Sequence, residues 1–456
     1  MNHGAWPGLV LLAYIPVIWF FFARFSAVKA AAMSLLGATL FLPEDAAFDL
    51  PVLPPFDKHS IPAIVATIAL MRQLPKRALA PPVRFLMVLG ALNVLGAVGT
   101  LLTNRETHVV GVMNRVVLPG LQLYDFPGLF TDHFVYYYLP FFVGAVTITS
   151  LDSARVALRL LVKAGLLLSL FCLFEVRMSP NLHTWIYGYS PHPDFSQAVR
   201  WGGYRPSVFF YHGLVAAFFM MLTTLAAGTC VRARIGMGML GRMTLPYLMV
   251  VLILCKSTGA IITAVAFLPL LLLLQPRTQL AICVVVCAVV MTFPYTRTVG
   301  LFPTQALVDW ASSISPDRAA SLLFRFTNED AVLEKMYAFE KVWFGWGGFA
   351  RSHVFEPWTG TDTTVTDGQW LVLTSSRGVV GLFTIVSLLV WPVWRAWRSR
   401  WRLGSRTEAL AVGGLAILVS VGALEMLPND PQVGVHYWLA GGLYGLTHGL
   451  VRRRWG

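Results

Sequence analysis

The chain has 456 residues, of which 56% are hydrophobic and only 12% charged, with a mean hydropathy of +0.65. A soluble domain carries about a quarter charged residues, so this composition excludes an ordinary soluble enzyme and points to an all-α, polytopic transmembrane helix bundle. The net charge of +13 does not indicate a nucleic-acid partner, because the basic residues cluster in short connections between apolar runs, where the positive-inside tendency puts them.

Crossing a bilayer takes about 20 apolar residues. About thirteen runs are candidates, some of them shorter than that, at roughly 6–22, 27–42, 60–73, 84–102, 131–150, 156–175, 207–228, 243–255, 258–274, 279–293, 370–393, 408–427 and 433–450. The first reads as a span rather than a signal peptide, since Met1 to Ala5 contains no Lys or Arg and no small-residue cleavage site precedes Arg24. Suppose that the connection holding Arg24 and Lys29 is cytoplasmic and that sides alternate from there. The inner connections then collect 21 of the 35 basic residues and only two of the 22 acidic ones, Asp152 and Glu408. Charge therefore predicts an N-outside, C-inside chain, with basic inner connections such as Trp394–Arg406 and the tail Arg452-Arg453-Arg454. The outer connections are Pro43–Ser60, Thr103–Phe130, Val176–Pro206, a tight turn at Lys256-Ser257-Thr258, the stretch Pro294–Trp370, and Pro428–Gln432. Ten spans thus occupy 1–293, one large extracytoplasmic loop 294–370, and three more spans 371–456.

That loop carries nine acidic residues and the run Gly345-Trp346-Gly347-Gly348. Val332, Leu333, Met336, Phe339 and Trp343 recur at helical steps, with Thr327 and Asp330 as a capping box ahead of them and the glycines as a stop. Ala306, Leu307, Trp310 and Ile314 predict a second, shorter amphipathic helix, and both helices suit a membrane surface or a roof over a cavity. The five cysteines lie in or beside apolar runs and none is in the loop, so no disulfide framework holds it; Cys283 and Cys287, four apart, suit helix packing.

Polar groups at span edges are the candidates for chemistry. Arg205, in Gly202-Gly203-Tyr204-Arg205-Pro206-Ser207, suits a phosphate or pyrophosphate at headgroup depth, or else serves as a snorkelling anchor. Arg325, just ahead of the capped helix, would share an anion with free backbone N–H groups, or pair with Glu329 or Asp330. Asp367 at the mouth of the eleventh span is a candidate general base that Arg377 either tunes or neutralises. His353, beside Arg351, is the rival base or a solvated loop histidine. Lys256 at the tight turn reaches either a ligand phosphate or lipid headgroups, and His212, read as lying inside the seventh span, fits an interhelical hydrogen bond. Trp343, Trp346 and Trp358 are suited to stacking on sugar rings. The sequence contains no Asp-x-Asp, His-Glu-x-x-His, Walker or Gly-x-Ser-x-Gly motif. Nor does it show paired, broken repeats with mid-membrane charges, as a transporter or flippase of lipid-linked sugars would.

These stretches resemble the O-antigen ligase and O-antigen polymerase superfamily of bacterial envelope proteins. The matching residues are Tyr204-Arg205-Pro206-Ser207-Val208-Phe209 with His212-Gly213, Lys256-Ser257-Thr258-Gly259, Arg325, Phe344-Gly345-Trp346-Gly347-Gly348, and Thr366-Asp367-Gly368-x-Trp370 followed by Arg377-Gly378 and Gly381. The resemblance implies a metal-independent, inverting glycosyltransferase of the bacterial inner membrane, needing no cofactor and with its active site facing the periplasm. Its donor would be a glycan on undecaprenyl diphosphate, and its acceptor a sugar on lipid A core (ligase) or on another lipid-linked unit (polymerase). Other polysaccharide-assembly membrane proteins would be its partners. It also implies that Arg205 and Arg325 hold the diphosphate. Typical members carry His-Asn where this chain has Asp367-Gly368, a form similar to an exopolysaccharide or capsule subgroup, so the base is either Asp367 in place of that histidine or His353.

Overall fold

The computed structural model describes residues 4–51, 53–192, 194–238, 241–431 and 434–452. Gln432, Arg453 and Arg454 lie outside the described residues. The chain is mostly helical, and helices stand at every place where the apolar pattern predicts one. In order they are α1 (Ala5–Arg24), α2 (Ala27–Phe41), α3 (Ser60–Gln73), α4 (Lys76–Thr103), α5 (Phe126–His133), α6 (Leu139–Thr147), α7 (Leu151–Met178), α8 (Leu182–Tyr187), α9 (Gly213–Arg232), α10 (Thr244–Leu254), α11 (Thr258–Leu273) and α12 (Pro276–Thr298). There follow α13 (Thr304–Ile314), α14 (Pro316–Ala338), α15 (Gln369–Arg398), α16 (Arg406–Glu425) and α17 (Val435–Arg452), while a π turn over Phe134–Tyr138 joins α5 to α6. Among the described residues seven helices (α1, α4, α7, α9, α12, α15, α16) are long and apolar enough to cross a membrane. The apolar helices α2, α3, α10 and α11 are shorter. With eleven residues, α10 rises only about 16 Å.

Helices α9 and α16 are buried along nearly their whole length and form the centre of the bundle, whereas α1 and α12 bury a minority of their residues. On α17, Gly441 and Gly445 let the helix press backbone to backbone against α6. A Cβ at these positions would sit 1.8 Å from the Phe141 carbonyl oxygen and 2.2 Å from that of Ala145. This is the small-residue spacing that brings apolar helices together without a hydrophobic driving force. The five cysteines are free and buried, and Cys287 packs against Ser420. The two acids expected on the inner side both serve helix starts: Glu408 closes a capping box with Ser405, and Asp152 pairs with Arg155 at 2.9 Å in the first turn of α7.

The connections fall into two groups that bond among themselves. Glu44 reaches His183, Lys58 reaches Phe209, Arg205 reaches Lys256, Asn104 reaches Gly345, and Arg325 reaches Pro428, so all the connections expected outside gather at one end. The other end joins Gln73 to Phe22 and stacks Arg277 on Trp401. Three small antiparallel hairpins decorate the first end, which the all-α expectation did not include: β1 (Ala47–Phe48) with β2 (Phe56–Asp57), β3 (His108–Val110) with β4 (Val116–Leu118), and β5 (Val199–Arg200) with β6 (Gly203–Tyr204). Paired valines flanking a turn at Gly111, whose φ is +84°, carry the middle one.

Two boundaries move in ways that matter for the site. The seventh apolar run becomes helical only at Gly213, because residues 207–211 form a turn. The helix in the long connection begins at Pro316, eleven residues ahead of Thr327, and ends at Ala338 rather than at the glycines. Thr327 is therefore interior, its hydroxyl donating to the Leu323 carbonyl, and it caps nothing. Ser315-Pro316, a cap position followed by proline at the first helical position, sets the actual start. The shorter helix expected around Ala306–Ile314 is α13, which leaves Trp310 and Ile314 exposed.

Candidate functional site

Arg205 follows the β5–β6 hairpin, its N–H donating to the Ala198 carbonyl at 2.7 Å. The next residues are held by two buried charges from elsewhere in the chain. The Glu175 carboxylate accepts the N–H groups of Ser207 (2.9 Å), Val208 (2.7 Å) and Leu182 (3.1 Å). Lys58, ion-paired with Glu44 at 2.9 Å, donates to the Phe209 carbonyl at 2.7 Å. Together they keep Val208 in a left-handed conformation, φ +53°, that a β-branched residue rarely adopts. Gly213 completes the seat, since a Cβ there would lie 2.5 Å from the Arg205 side chain. Sequence reasoning missed Glu44, Lys58 and Glu175, which read as ordinary span-edge charges.

The result is a guanidinium only 4% exposed that makes one long hydrogen bond, 3.3 Å to the Lys256 carbonyl, while its Nε and Nη1 are buried without a partner. Lys256 itself sits at φ +53° with its Nζ against Gly203. Among the described residues neither cation has a carboxylate partner, and Asp194, on the wall of the same small cavity, is spent on the Ser196 N–H. Burial, and then the charge of Arg200 with Arg325 beyond it, pushes the Arg205 pKa down to about 10. His212 is not inside the span as expected. It caps α9 by accepting the Leu214 N–H at Nδ1 (3.0 Å), and its Nε2 meets Gln197 at 2.9 Å. Burial and the neighbouring Arg205 push its pKa down to about 4, so it is neutral in this cationic pocket.

Arg325 lies within α14, so no free helix N-terminus accompanies it. Its expected partners are taken by Arg297, another residue the sequence did not single out. Arg297 is 6% exposed, pairs with Glu329 (3.1 Å) and Asp330 (2.8 Å), and donates to the Phe326 carbonyl. Arg325 is left to pair with Asp367 at 2.9 Å, both side chains being partly exposed, and to reach Pro428. Two residues expected to act separately are thus one ion pair. Arg377, expected beside Asp367, instead faces Asp132 at 3.7 Å.

Arg351 and His353 belong to a different cluster. Arg351, 1% exposed, donates to the carbonyls of Glu106 (2.8 Å) and Pro119 (2.7 Å), tying the β3–β4 hairpin to the long connection. His353 pairs with Asp362 at 2.6 Å. Lys335 donates to the Arg351 and His353 carbonyls and lies 4.7 Å from the ring centre of Trp346. No hydrogen bond or ion pair among the described residues joins this cluster to Asp367. The glycine run is explained by close approach: Gly345, at φ +66°, lies against the kink of α15 at Gly378, where a Cβ would fall 2.5 Å from the Arg377 nitrogen. Trp346 is consequently buried and offers no face to a sugar, whereas Trp358 is exposed. Trp343 lines an apolar groove of about 390 Å³ between α12, α14 and α15, with Val290, Leu333, Met336, Leu382 and Phe383.

Neither protein-family models nor curated proteins give a match to this chain.

Proposed function

We propose that the protein is an integral membrane glycosyltransferase that moves a glycan from an isoprenyl-diphosphate carrier to a sugar hydroxyl at the end of the bundle bearing the long connection. On this reading α2, α3, α10 and α11, together with the α5–α6 run and α17, complete a thirteen-span bundle in a bacterial inner membrane, and the charge distribution supports that end facing the periplasm. The observation that carries it is Arg205: a buried guanidinium with two nitrogens unpartnered by protein groups, flanked by Lys256, Arg200 and Arg325, is chemically suited to an anion. Such a group is costly to bury alone, and a diphosphate supplies the charge and the acceptors it needs. The apolar groove supports a lipid-borne donor, because Leu333 on its wall is eight residues beyond Arg325 on α14, about 12 Å along the helix.

The chemistry follows from the ion pair. An arriving diphosphate competes with Asp367 for Arg325 and frees the Asp367 carboxylate. The acceptor hydroxyl oxygen attacks the anomeric carbon, its proton passes to Asp367, and the bond from that carbon to the phosphate oxygen breaks with its electron pair on the diphosphate. Arg205 and Arg325 stabilise that developing charge, so no protein acid is needed at the leaving group. His353 is the weaker base candidate because Asp362 holds it in another cluster. Replacing Arg205 by Ala tests the assignment: surface glycan should be lost while the protein stays in the membrane, and near-normal glycan would refute it.

A further inference from the structure

A second polar site lies at the same end, and the reaction described above leaves it unused. Asp132, at the end of α5, has a side chain 43% exposed and is met only distantly, at 3.7 Å, by Nη2 of Arg377. Nη1 of Arg377 is buried with no partner, and so is Oε1 of Gln369, whose amide nitrogen approaches the Tyr137 hydroxyl at 3.5 Å; the two residues are 9% and 2% exposed. One helical step away, Tyr136 donates to Asp57 at 2.8 Å, and Asp57 is fixed by the N–H groups of His59 and Ser60. The π turn over Phe134–Tyr138 brings these groups together: Asp132 is within electrostatic reach of Tyr136, Tyr137 and Asp57 alike. Such turns recur where helices build functional sites.

The site combines acceptors open to solvent with buried donors and acceptors that no side chain satisfies, an expensive arrangement unless a hydroxylated ligand fills it. Its charge is opposite to that of the Arg205 pocket, since Asp132, which faces Arg377, has a second carboxylate, Asp57, within electrostatic reach, and Asp430 adds its field at Tyr137. The two sites are neighbours. Gln369 is two residues after Asp367, its N–H donates to the Asn429 carbonyl, and Arg325 reaches Pro428 in the same segment.

We infer that Asp57, Asp132, Tyr136, Tyr137, Gln369 and Arg377 form the acceptor-sugar subsite, selective for neutral or amino-bearing sugars and closed to sugars carrying carboxylate or phosphate. The acceptor role rests on the glycosyltransferase reading; the charge selectivity does not. Carboxylates accept from sugar hydroxyls or an ammonium, Arg377 Nη1 and the tyrosine donate, and an anionic sugar meets uncompensated like charge.

The full-length protein in nanodiscs, probed by saturation-transfer NMR with chitotriose, its de-N-acetylated form and trigalacturonic acid, tests the inference. Chitotriose and the amino form should bind and trigalacturonic acid should not, while Asp132→Asn, of nearly equal shape, should abolish the discrimination by charge. Gln369→Ala should weaken chitotriose binding about tenfold, the cost of roughly one good hydrogen bond in the site. A wild-type melting temperature for each variant excludes unfolding as the cause. Preferred binding of trigalacturonic acid, the same charge preference in Asp132→Asn, or no binding of any probe would overturn the inference. In transfer assays Asp132→Asn should raise KM for the acceptor and leave KM for the donor unchanged. Wild-type protein that shows the charge-selective binding but transfers no glycan would refute the glycosyltransferase reading and leave the sugar site standing.

Discussion

The seat of Arg205 rests on Glu175, and Glu175→Gln isolates that dependence. One carboxylate oxygen accepts two N–H groups, from Ser207 and Val208, and the other accepts that of Leu182. An amide has a single acceptor oxygen, so either the Leu182 N–H or the Ser207–Val208 pair must face an NH₂ group. Charge-assisted bonds are worth about 1.5–3 kcal/mol and roughly twice their neutral counterparts, and an orphaned buried N–H costs about 1–3 kcal/mol. Weakening two bonds and orphaning one N–H therefore removes about 3–5 kcal/mol from the local structure. That is enough to release the left-handed conformation at Val208. Hydrogen–deuterium exchange of the purified protein should show the amides of Arg205 and Ser207 to Phe210 exchanging about a hundred- to several-thousandfold faster, with α9 and α16 unaffected. Unchanged exchange in that segment would refute the view that Glu175 holds it.

Three other outcomes follow from the same geometry. Asp367→Asn should lower transfer by about 10²–10⁴-fold, the range for a lost general base, while the loss of its partly exposed pair with Arg325 should cost under about 1 kcal/mol of stability; turnover and melting temperature measured together check this. His212 binds its proton less readily when folded than the about 6.5 of a free histidine, so the folded protein loses stability as pH falls from about 6.5 to 4 and is fully stabilised above that window. His212→Asn keeps a capping oxygen and should flatten the pH dependence of the melting temperature there. Gly345→Ala should destabilise the protein by several kcal/mol, read as a lower melting temperature, since the added carbon meets the α15 backbone and the residue is left at φ +66°.

The helices were legible because an apolar run long enough to cross a bilayer has few other fates, and each such run is helical. Their ends were less so. The Thr327–Asp330 pattern imitates a cap, but Ser315-Pro316 starts the helix earlier and the interior threonine bonds backwards to Leu323. At the site, Arg205, Lys256, Arg325 and Asp367 stood out as polar groups at the edges of apolar runs. Their pairing did not, because Arg297 captures Glu329 and Asp330 and so diverts Arg325 to Asp367. Nor did the roles of Lys58 and Glu175 show, since Lys58 and Phe209 are 151 residues apart and Glu175 and Val208 are 33 apart. Partners at that separation leave no local pattern. Trp346 misled for a related reason: its glycine neighbours let it sink against α15 under Lys335 instead of standing free for a sugar.

The central claim is that the Arg205 pocket takes the diphosphate of a lipid carrier, and native mass spectrometry of the purified protein with undecaprenyl diphosphate tests it directly. The wild-type protein should retain the lipid. Arg205→Ala should lower that affinity by about a hundredfold, the equivalent of roughly 2.7 kcal/mol, and undecaprenol without phosphates should bind both forms alike. Equal retention of the diphosphate lipid by wild type and Arg205→Ala would contradict the account.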